Sequence, residues 1–171
     1  MPTIKTKKFT LRPYKLTDAE AIAKNINNRK IYRYTLHIPY PYALSDARSF
    51  LKRNLPANKK GEKLSLAIVI NREVVGCVSF ENIEKNHKAE LGYWLAEPYW
   101  GRGIASQAVK LITDYGFNKL KLRRIYAYVF IKNLASQRVL IKNGFKKEGL
   151  QKKNVIKDGK FMDDIVFAKV R

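Results

Sequence analysis

Cysteine and histidine are scarce in this chain of 171 residues, which contains one cysteine and two histidines. Because a disulfide needs two thiols, Cys77 has no partner within the chain. His37 and His87 do not form a cluster with the spacing of metal ligands, so we expect no metal site. These absences favour a reducing compartment, in which Cys77 is an inert thiol on an apolar strand face.

Long apolar runs are also missing. The lysine-rich N-terminus lacks the apolar core of a secretory signal, and no segment reaches the roughly 18 apolar residues that a membrane-spanning helix needs. No repeat, low-complexity run or interdomain linker interrupts a chain that is 46% hydrophobic. We therefore expect a single domain over residues 1–171 with enough apolar residues to form a core. We also expect it to be cytoplasmic.

Acidic residues are few: 14 Asp and Glu stand against 35 Lys and Arg, which gives a formal charge of +21. Such an excess favours an anionic cofactor, nucleic acid or a ribonucleoprotein as partner. Between Lys119 and Lys157 twelve basic residues accompany one acidic residue, Glu148. This basic segment is suited to holding a phosphate or docking on RNA, and the alternative is a solvated lysine-rich surface.

Hydrophobic periodicity predicts a mixed α/β fold with seven strands and four helices. The first helix follows a capping box at Thr17–Glu20 and runs to about Asn27, and the second begins at Ser45 and ends before Pro56. Between them lies an irregular aromatic segment, Ile31–Leu44. Two further helices begin at Ile104 and Asn133, and the strands are predicted at residues 8–14, 64–70, 74–80, 89–96 and 124–131 and on both sides of an Asp158-Gly159 type I′ turn.

A glycine loop, Trp100-Gly101-Arg102-Gly103, joins the predicted strand 89–96 to the helix that begins at Ile104. Small residues at the first turn of a helix let backbone N–H groups approach a phosphate, and the helix dipole adds positive charge there. The alternative is an ordinary tight turn. A dinucleotide fingerprint expects Gly or Ala where Ser106 stands and an acidic residue about 20 positions later, and a nucleotide triphosphatase expects Gly-Lys-Ser/Thr, so both classes are disfavoured.

Two motifs, together with the distance between them in the sequence, resemble the GNAT superfamily of N-acetyltransferases, and most closely its RimJ/RimL-like branch of ribosomal-protein alanine N-acetyltransferases. The first runs from Ala89 to Ser106, and the second comprises Asn133–Leu140 with Asn143-Gly144-Phe145. The resemblance extends from Leu11-Arg12-Pro13 to the Asp158-Gly159 turn. It implies a mostly antiparallel sheet of about seven strands with splayed central strands, flanked by about four helices.

The resemblance implies acetyl-CoA as the cofactor, bound between the strands 89–96 and 124–131. Its pantetheine would pair with strand backbone and with Asn133, and its pyrophosphate would lie on the amides of the glycine loop. An aromatic residue at the loop entry, here Trp100, is common in the RimJ/RimL-like branch. The implied cofactor-binding residues are Tyr93, Trp94, Leu95, Trp100, Gly101, Arg102, Gly103, Ile104, Ala105, Ser106 and Asn133.

The general acid of many relatives is missing, because Leu140 stands where they carry a tyrosine. By resemblance to the RimL-like branch, the hydroxyl of Ser136 would donate a hydrogen bond to the departing thiolate, whose pKa of about 8.5 makes it a tolerable leaving group. The alternative is that Ser136 only caps a helix. Asn133 has the same alternative.

Glu90 is the candidate base. Alternation along its strand would direct its carboxylate into the acceptor cleft while Ala89 and Leu91 face the other way. The alternatives are an exposed strand glutamate and deprotonation through water, because Val155 stands where RimL-like relatives can carry a glutamate.

With either Glu90 or water as the base, an α-amine is a better acceptor than a lysine amine. The α-amine has a pKa near 8 and is roughly one-tenth neutral at pH 7, whereas the lysine amine has a pKa near 10.4. The leading interpretation is an N-acetyltransferase of a protein N-terminal amine, such as that of a ribosomal protein. By resemblance to the family, the aromatic segment between the first two helices would line the acceptor pocket; the alternatives are that its aromatic residues stack on RNA or cover a core. A small amine such as a polyamine or an amino sugar is the alternative acceptor, although the positive charge opposes a polycation. A non-catalytic RNA- or ribosome-binding module of the same fold is the other alternative, and both monomer and homodimer stay open.

Overall fold

A computed structural model describes residues 2–171 and arranges eight strands in one sheet. The strand order is β1-β2-β3-β4-β5-β6-β8-β7, and every neighbouring pair is antiparallel except β5 with β6. The bounds are β1 Ile4–Lys5, β2 Thr10–Pro13, β3 Leu64–Ile70, β4 Glu73–Glu84, β5 Lys88–Leu95, β6 Arg124–Phe130, β7 Lys146–Lys157 and β8 Lys160–Val170.

Five α-helices flank the sheet over the described residues, and two single-turn 3₁₀ helices lie at Leu16–Asp18 and Glu97–Tyr99. No helix between residues 2 and 171 has both the length and the apolar character to cross a bilayer. The helices are α1 Ala19–Ile26, α2 Arg29–Arg33, α3 Leu44–Lys60, α4 Ile104–Asn118 and α5 Leu134–Lys142.

The predicted mixed, mostly antiparallel sheet is confirmed, with one strand more than expected. The extra strand, β1, pairs with β2 through two residues and is too short for alternation to reveal. The closing hairpin turns at Asp158 and Gly159 with φ of 51° and 71°, as a type I′ turn requires. The sequence Asn143-Gly144, followed by the apolar Phe145, is typical of a left-handed cap and forms one after α5, because Gly144 has φ of 80° and Phe145 N donates to Leu140 O.

The prediction that Pro56 ends the second helix was wrong, because α3 continues through Pro56 to Lys60. The last turn is held by a tertiary contact that local signals do not reveal. Asn58 donates from Nδ2 to Ser65 O at 3.0 Å, and its Oδ1 accepts from Ser65 N at 2.8 Å. These two bonds attach the end of α3 to β3 and offset the hydrogen bond that the proline cannot donate.

Two details before α3 also differ from expectation. Helix α2 occupies part of the segment predicted to be irregular, because the side chain of Asn28 accepts from Lys30 N and Ile31 N and caps it. The capping box at Thr17–Glu20 was wrong: the carboxylate of Asp18 instead accepts from Lys15 N at 2.7 Å.

The sheet carries a core on each face. On one face α4 packs on the central strands, with Ile112 and Val109 against Phe80 and Leu91. On the other face α1 and α3 pack on β3 and β4, where the buried Cys77 lies. Burial raises the pKa of the Cys77 thiol, which agrees with the expected inert thiol.

An ion pair joins β2 to the start of α1. Arg12 donates to both carboxylate oxygens of Asp18, at 2.8 and 2.7 Å, and also to Pro13 O at 2.9 Å. The side chains are only 18% and 8% exposed, so water solvates neither group well. Because each charge depends on the other, loss of one leaves a buried and uncompensated charge.

We expect Arg12→Ala to lower the free energy of unfolding by about 3 kcal/mol, because the Asp18 carboxylate then loses its partner in a buried position. Urea denaturation followed by circular dichroism measures the change. Lys110→Ala is the control, since Lys110 forms an exposed pair with Asp114 four residues away and should change stability by no more than about 0.5 kcal/mol. Equal losses in the two variants would contradict the assigned role of the pair.

Candidate active site

The two central strands separate, which confirms the predicted splay. β5 pairs in parallel with β6 through three residues, and the pairing ends at Glu90 and Tyr126. Beyond this point β5 stays with β4 as far as Leu95, while β6 stays with β8 as far as Phe130. A wedge-shaped opening therefore lies between the C-terminal halves of β5 and β6.

The edge of β5 presents backbone groups to this opening. Ala96 N donates to Val75 O at 2.8 Å, and the register between β4 and β5 runs without interruption from Gly76 to Glu81. Alternation in an antiparallel pair then directs the N–H and C=O groups of Tyr93 and Leu95 to the opening and those of Trp94 to β4. The indole of Trp100 donates to Leu95 O at 2.6 Å. Of the three implied backbone partners, Tyr93 and Leu95 have the required orientation, and Trp94 contributes its side chain.

The opening continues into a cavity of about 1200 Å³. It extends from β5 and β6 to β4, α3 and the segment after α2. Five of the implied site residues line this cavity, whereas Leu95 and residues 100–106 lie outside it. The five are Glu90, Tyr93, Trp94, Asn133 and Ser136. From the aromatic segment between the first two predicted helices, Tyr34, His37 and Tyr42 also line the cavity.

The hydroxyl of Ser136 is directed at a neighbouring strand. Its Oγ lies 2.7 Å from the Oη of Tyr93, while Asn133 caps α5 by accepting from Ser136 N at 3.2 Å. The capping alternative therefore describes the side chain of Asn133 but not that of Ser136. Burial raises the pKa of Tyr93 to about 12, so its phenol keeps its proton near neutral pH.

Glu90 is half-buried in the cavity, on the opposite face of β5 from the buried Ala89 and Leu91. Its Oε2 accepts from Asn82 Nδ2 at 3.0 Å. Burial is the main cause that raises the pKa of Glu90; the Asn82 hydrogen bond lowers it, Glu81 and Asp164 raise it, and His37 lowers it. A carboxylate with a raised pKa accepts a proton more readily near neutral pH.

Both positions that lack an expected acid or base carry an apolar side chain, and for Leu140 the structure gives a reason. Leu140 is fully buried in the core beneath α5, where an unpaired tyrosine hydroxyl would be costly. Val155 lines the cavity without a titratable group. Sequence reasoning missed Asp164, which is 2% exposed, lines the cavity and accepts from Asn154 Nδ2 at 3.3 and 3.1 Å. Two adjacent aspartates within an apolar strand were the available signal.

The glycine loop has the geometry of an anion cradle. Gly101 and Gly103 adopt φ of 73° and 75°, and a Cβ added at either residue would meet no protein atom within 4 Å. Gly103 is the N-cap of the 15-residue helix α4, and no side chain caps it. The N–H groups of the first turn, Ile104 to Ser106, precede the first possible intrahelical bond and point outward. These donors fit the pyrophosphate of the implied cofactor.

Side chains from distant parts of the chain hold the loop. Lys8 Nζ donates to Arg102 O at 3.2 Å, and Asn143 Nδ2 donates to Ser106 Oγ at 3.1 Å. Lys169 Nζ in turn donates to Asn143 O at 2.9 Å. Ser106 thus links α4 to the end of α5, and two lysines bring positive charge to the loop.

The basic segment Lys119–Lys157 lies mainly at the surface. All of its basic side chains are exposed except Arg124, which pairs with Glu148, and Lys157, which donates to Thr35 O at 2.9 Å. The high local charge predicted from the sequence is therefore a surface property.

Comparisons with known proteins agree with this geometry. The acetyltransferase (GNAT) domain family matches residues 8–146. An uncharacterized N-acetyltransferase, p20 of Bacillus licheniformis, is 32% identical over 171 residues, which cover 98% of this chain and 96% of the relative. RimL, a ribosomal L7/L12 alpha-N-protein acetyltransferase solved with coenzyme A, is 27% identical with a TM-score of 0.89, and the match covers 99% of this chain and 98% of RimL.

A third protein shows a related cofactor complex. The microcin C7 self-immunity acetyltransferase MccE, solved with acetyl-CoA and AMP, is 29% identical with a TM-score of 0.88 over 97% of this chain and 94% of MccE. The fold and the opening define an acyltransferase whose cofactor is acetyl-CoA. The chain belongs to the GNAT family of acetyltransferases and is an N-acetyltransferase with RimJ/RimL-like relatives.

We expect Gly103→Ala to weaken acetyl-CoA binding about tenfold or more, because the added methyl group projects into the space in front of the loop amides. Gly61→Ala is the matched control, since Gly61 ends α3 with φ of 74° and open space around it. Both substitutions carry the same backbone strain of about 1–2 kcal/mol. Calorimetry on the two folded variants measures the affinities, and equal values would contradict a pyrophosphate site at the loop.

Proposed function

We propose that this N-acetyltransferase transfers the acetyl group to the α-amine of a protein N-terminus, with Glu90 as the base. The observation that carries the proposal is the half-buried carboxylate of Glu90, with its raised pKa, in the cavity that Ser136 also lines. RimL, which has the same fold, is described as an alpha-N-protein acetyltransferase of ribosomal L7/L12.

The acidity of the acceptor supports an α-amine. At pH 7 an amine with a pKa near 8 is roughly one-tenth neutral, whereas a lysine amine near 10.4 is neutral in fewer than about one molecule in a thousand. A single carboxylate with a raised pKa removes a proton from the first far more easily than from the second.

Each residue of the site then has a definite task. Acetyl-CoA supplies an acetyl group activated as a thioester. Glu90 accepts a proton from the incoming ammonium group, so that the neutral nitrogen forms the C–N bond while the C–S bond breaks with its electron pair on sulfur. Once the C–N bond has formed, the nitrogen loses a second proton, which balances the negative charge of the thiolate. N–H groups on the open edge of β5 offer donors to the carbonyl oxygen, and Ser136 offers one to sulfur.

Contacts between α2 and the hairpin of β7 and β8 hold one part of the cavity lining. Tyr32, on α2, donates to Asp158 in the turn between β7 and β8, and Lys157 Nζ lies 3.6 Å from the centre of the Tyr32 ring. Lys157 also donates to Thr35 O, and Thr35 lines the cavity. The proposed acceptor would therefore meet a segment after α2 that the hairpin holds in place.

The charge of the whole chain favours a singly charged acceptor over a polyamine. A polycation would approach a chain with a formal charge of +21. Within the cavity Glu81 is already paired with Lys63 at 2.8 Å, and Arg53 adds a basic group to the lining. A single α-amine needs fewer free carboxylates than a polycation does.

A peptide with a free N-terminus and one internal lysine should be acetylated at the α-amine at least about tenfold faster than at the lysine at pH 7, because more of the α-amine is neutral. Mass spectrometry locates the acetyl group, and the same peptide with a blocked N-terminus is the control. A polyamine and an amino sugar belong in the same assay. Acetylation of lysine alone, or of a small amine alone, would overturn the proposed acceptor.

Glu90→Gln should lower the rate at pH 7 about tenfold and raise the pH of half-maximal rate, because the amine then loses its proton only to water. Above about pH 9 the variant and the wild type should converge, since the α-amine is by then mostly neutral without help. Glu62→Gln, at an exposed position after α3, is the control. An unchanged pH profile in Glu90→Gln would assign the deprotonation to water alone.

A further inference from the structure

A hydrogen bond between Tyr93 and Ser136 connects β5 to α5 beside the opening. The Oη of Tyr93 lies 2.7 Å from Ser136 Oγ and 3.2 Å from Ser136 O. The two residues are 43 positions apart in the sequence, and both line the cavity. The backbone of Tyr93 faces the opening, but the cofactor contacts implied for that backbone give its phenol no task.

Chemistry favours one direction for the proton in this pair. A phenol is a stronger acid than an aliphatic alcohol, so Tyr93 is the better donor and Ser136 Oγ the better acceptor. Ser136 Oγ is also the nearer of the two oxygens to Oη, at 2.7 Å against 3.2 Å for the backbone oxygen, so the phenolic proton has its closer acceptor there. When Ser136 Oγ accepts from Tyr93, its own proton is left for a third group.

We propose that Tyr93 is a positioning residue: its hydroxyl donates to Ser136 Oγ and so directs the proton of Ser136 toward the sulfur of coenzyme A. This inference rests on the proposed role of Ser136 beside the thioester. Hydrogen bonds in a chain polarise one another, so a hydroxyl that accepts from a phenol is a stronger donor to a thiolate. The pair thereby replaces the tyrosine that is missing at Leu140.

The thiol of coenzyme A provides a test that needs no acceptor. Free coenzyme A ionises near pH 8.5, whereas acetyl-CoA has no thiol, so the ratio of their affinities between pH 7 and about pH 9.5 reports the stabilisation of the thiolate by the protein. Acetyl-CoA would meet the same titratable groups, which include Glu90, His37 and Asp164. The pH dependence of its affinity therefore measures their contribution, and the ratio of the two affinities cancels it. Burial raises the pKa of Tyr93 to about 12, so the phenol itself does not titrate in this range.

In the wild type we expect coenzyme A to gain affinity relative to acetyl-CoA as pH rises. Tyr93→Phe should reduce this gain about three- to tenfold. The affinity for acetyl-CoA, measured on the same variant at each pH, removes any change in cofactor binding that the substitution itself causes. Ser136→Ala should reduce the gain at least as much, and Tyr93→Phe should add nothing in the Ser136→Ala background, since the phenol acts only through Ser136. Tyr115→Phe is the control, because no hydrogen bond joins Tyr115 Oη to another of the described side chains; it should behave as the wild type.

Three outcomes would overturn the inference: an unchanged gain in Tyr93→Phe, an unchanged gain in Ser136→Ala, or additive effects in the double variant. If Tyr93→Phe fails to fold, an unchanged gain in Ser136→Ala still overturns the inference, since without an effect at Ser136 there is nothing for Tyr93 to direct. Failure of the proposed acceptor is a separate result. It is seen in the wild type as the absence of α-amine acetylation, and it leaves these binding measurements unaffected.

Discussion

The short parallel pairing of β5 with β6 is the constraint on which the site depends. Three residue pairs hold the strands together, and the ladder then ends at Glu90 and Tyr126. Because each strand keeps its other neighbour, the sheet opens without losing its hydrogen bonds elsewhere. The backbone edge left on β5 is a template for a ligand that carries amides, as pantetheine does. The candidate base stands at the last paired position, where the strands begin to separate.

The N-termini of α4 and α5 differ in what they offer a ligand. α4 begins at Gly103 with free backbone donors, which suits an anion, whereas α5 is capped by Asn133 and presents a hydroxyl instead. Asn143, which follows α5, donates to Ser106 on α4 and so connects the two helices.

Charge is divided between the surface and the cavity. The basic segment Lys119–Lys157 is exposed and gives the chain a positive field, while Glu90 and Asp164 lie in the lining of the cavity. The proposed cationic acceptor would meet these carboxylates inside the cavity, whereas the exposed charge attracts anions. Burial raises the pKa of Glu90, which favours uptake of a proton over retention of the negative charge.

Local signals in the sequence determined seven of the eight strands, the glycine loop, the Asp158-Gly159 turn and the Gly144 cap, because each depends on residues only a few positions apart. Alternation along β5 indicated Glu90, and the family resemblance indicated Ser136, yet neither revealed that Tyr93 lies within hydrogen-bond distance of Ser136 or that Asp164 joins the cavity. Helix α3 likewise continues past Pro56 through a contact between Asn58 and Ser65 that local propensity cannot encode. Contacts between residues distant in the chain form only once the sheet has folded, and the tertiary structure alone decided them.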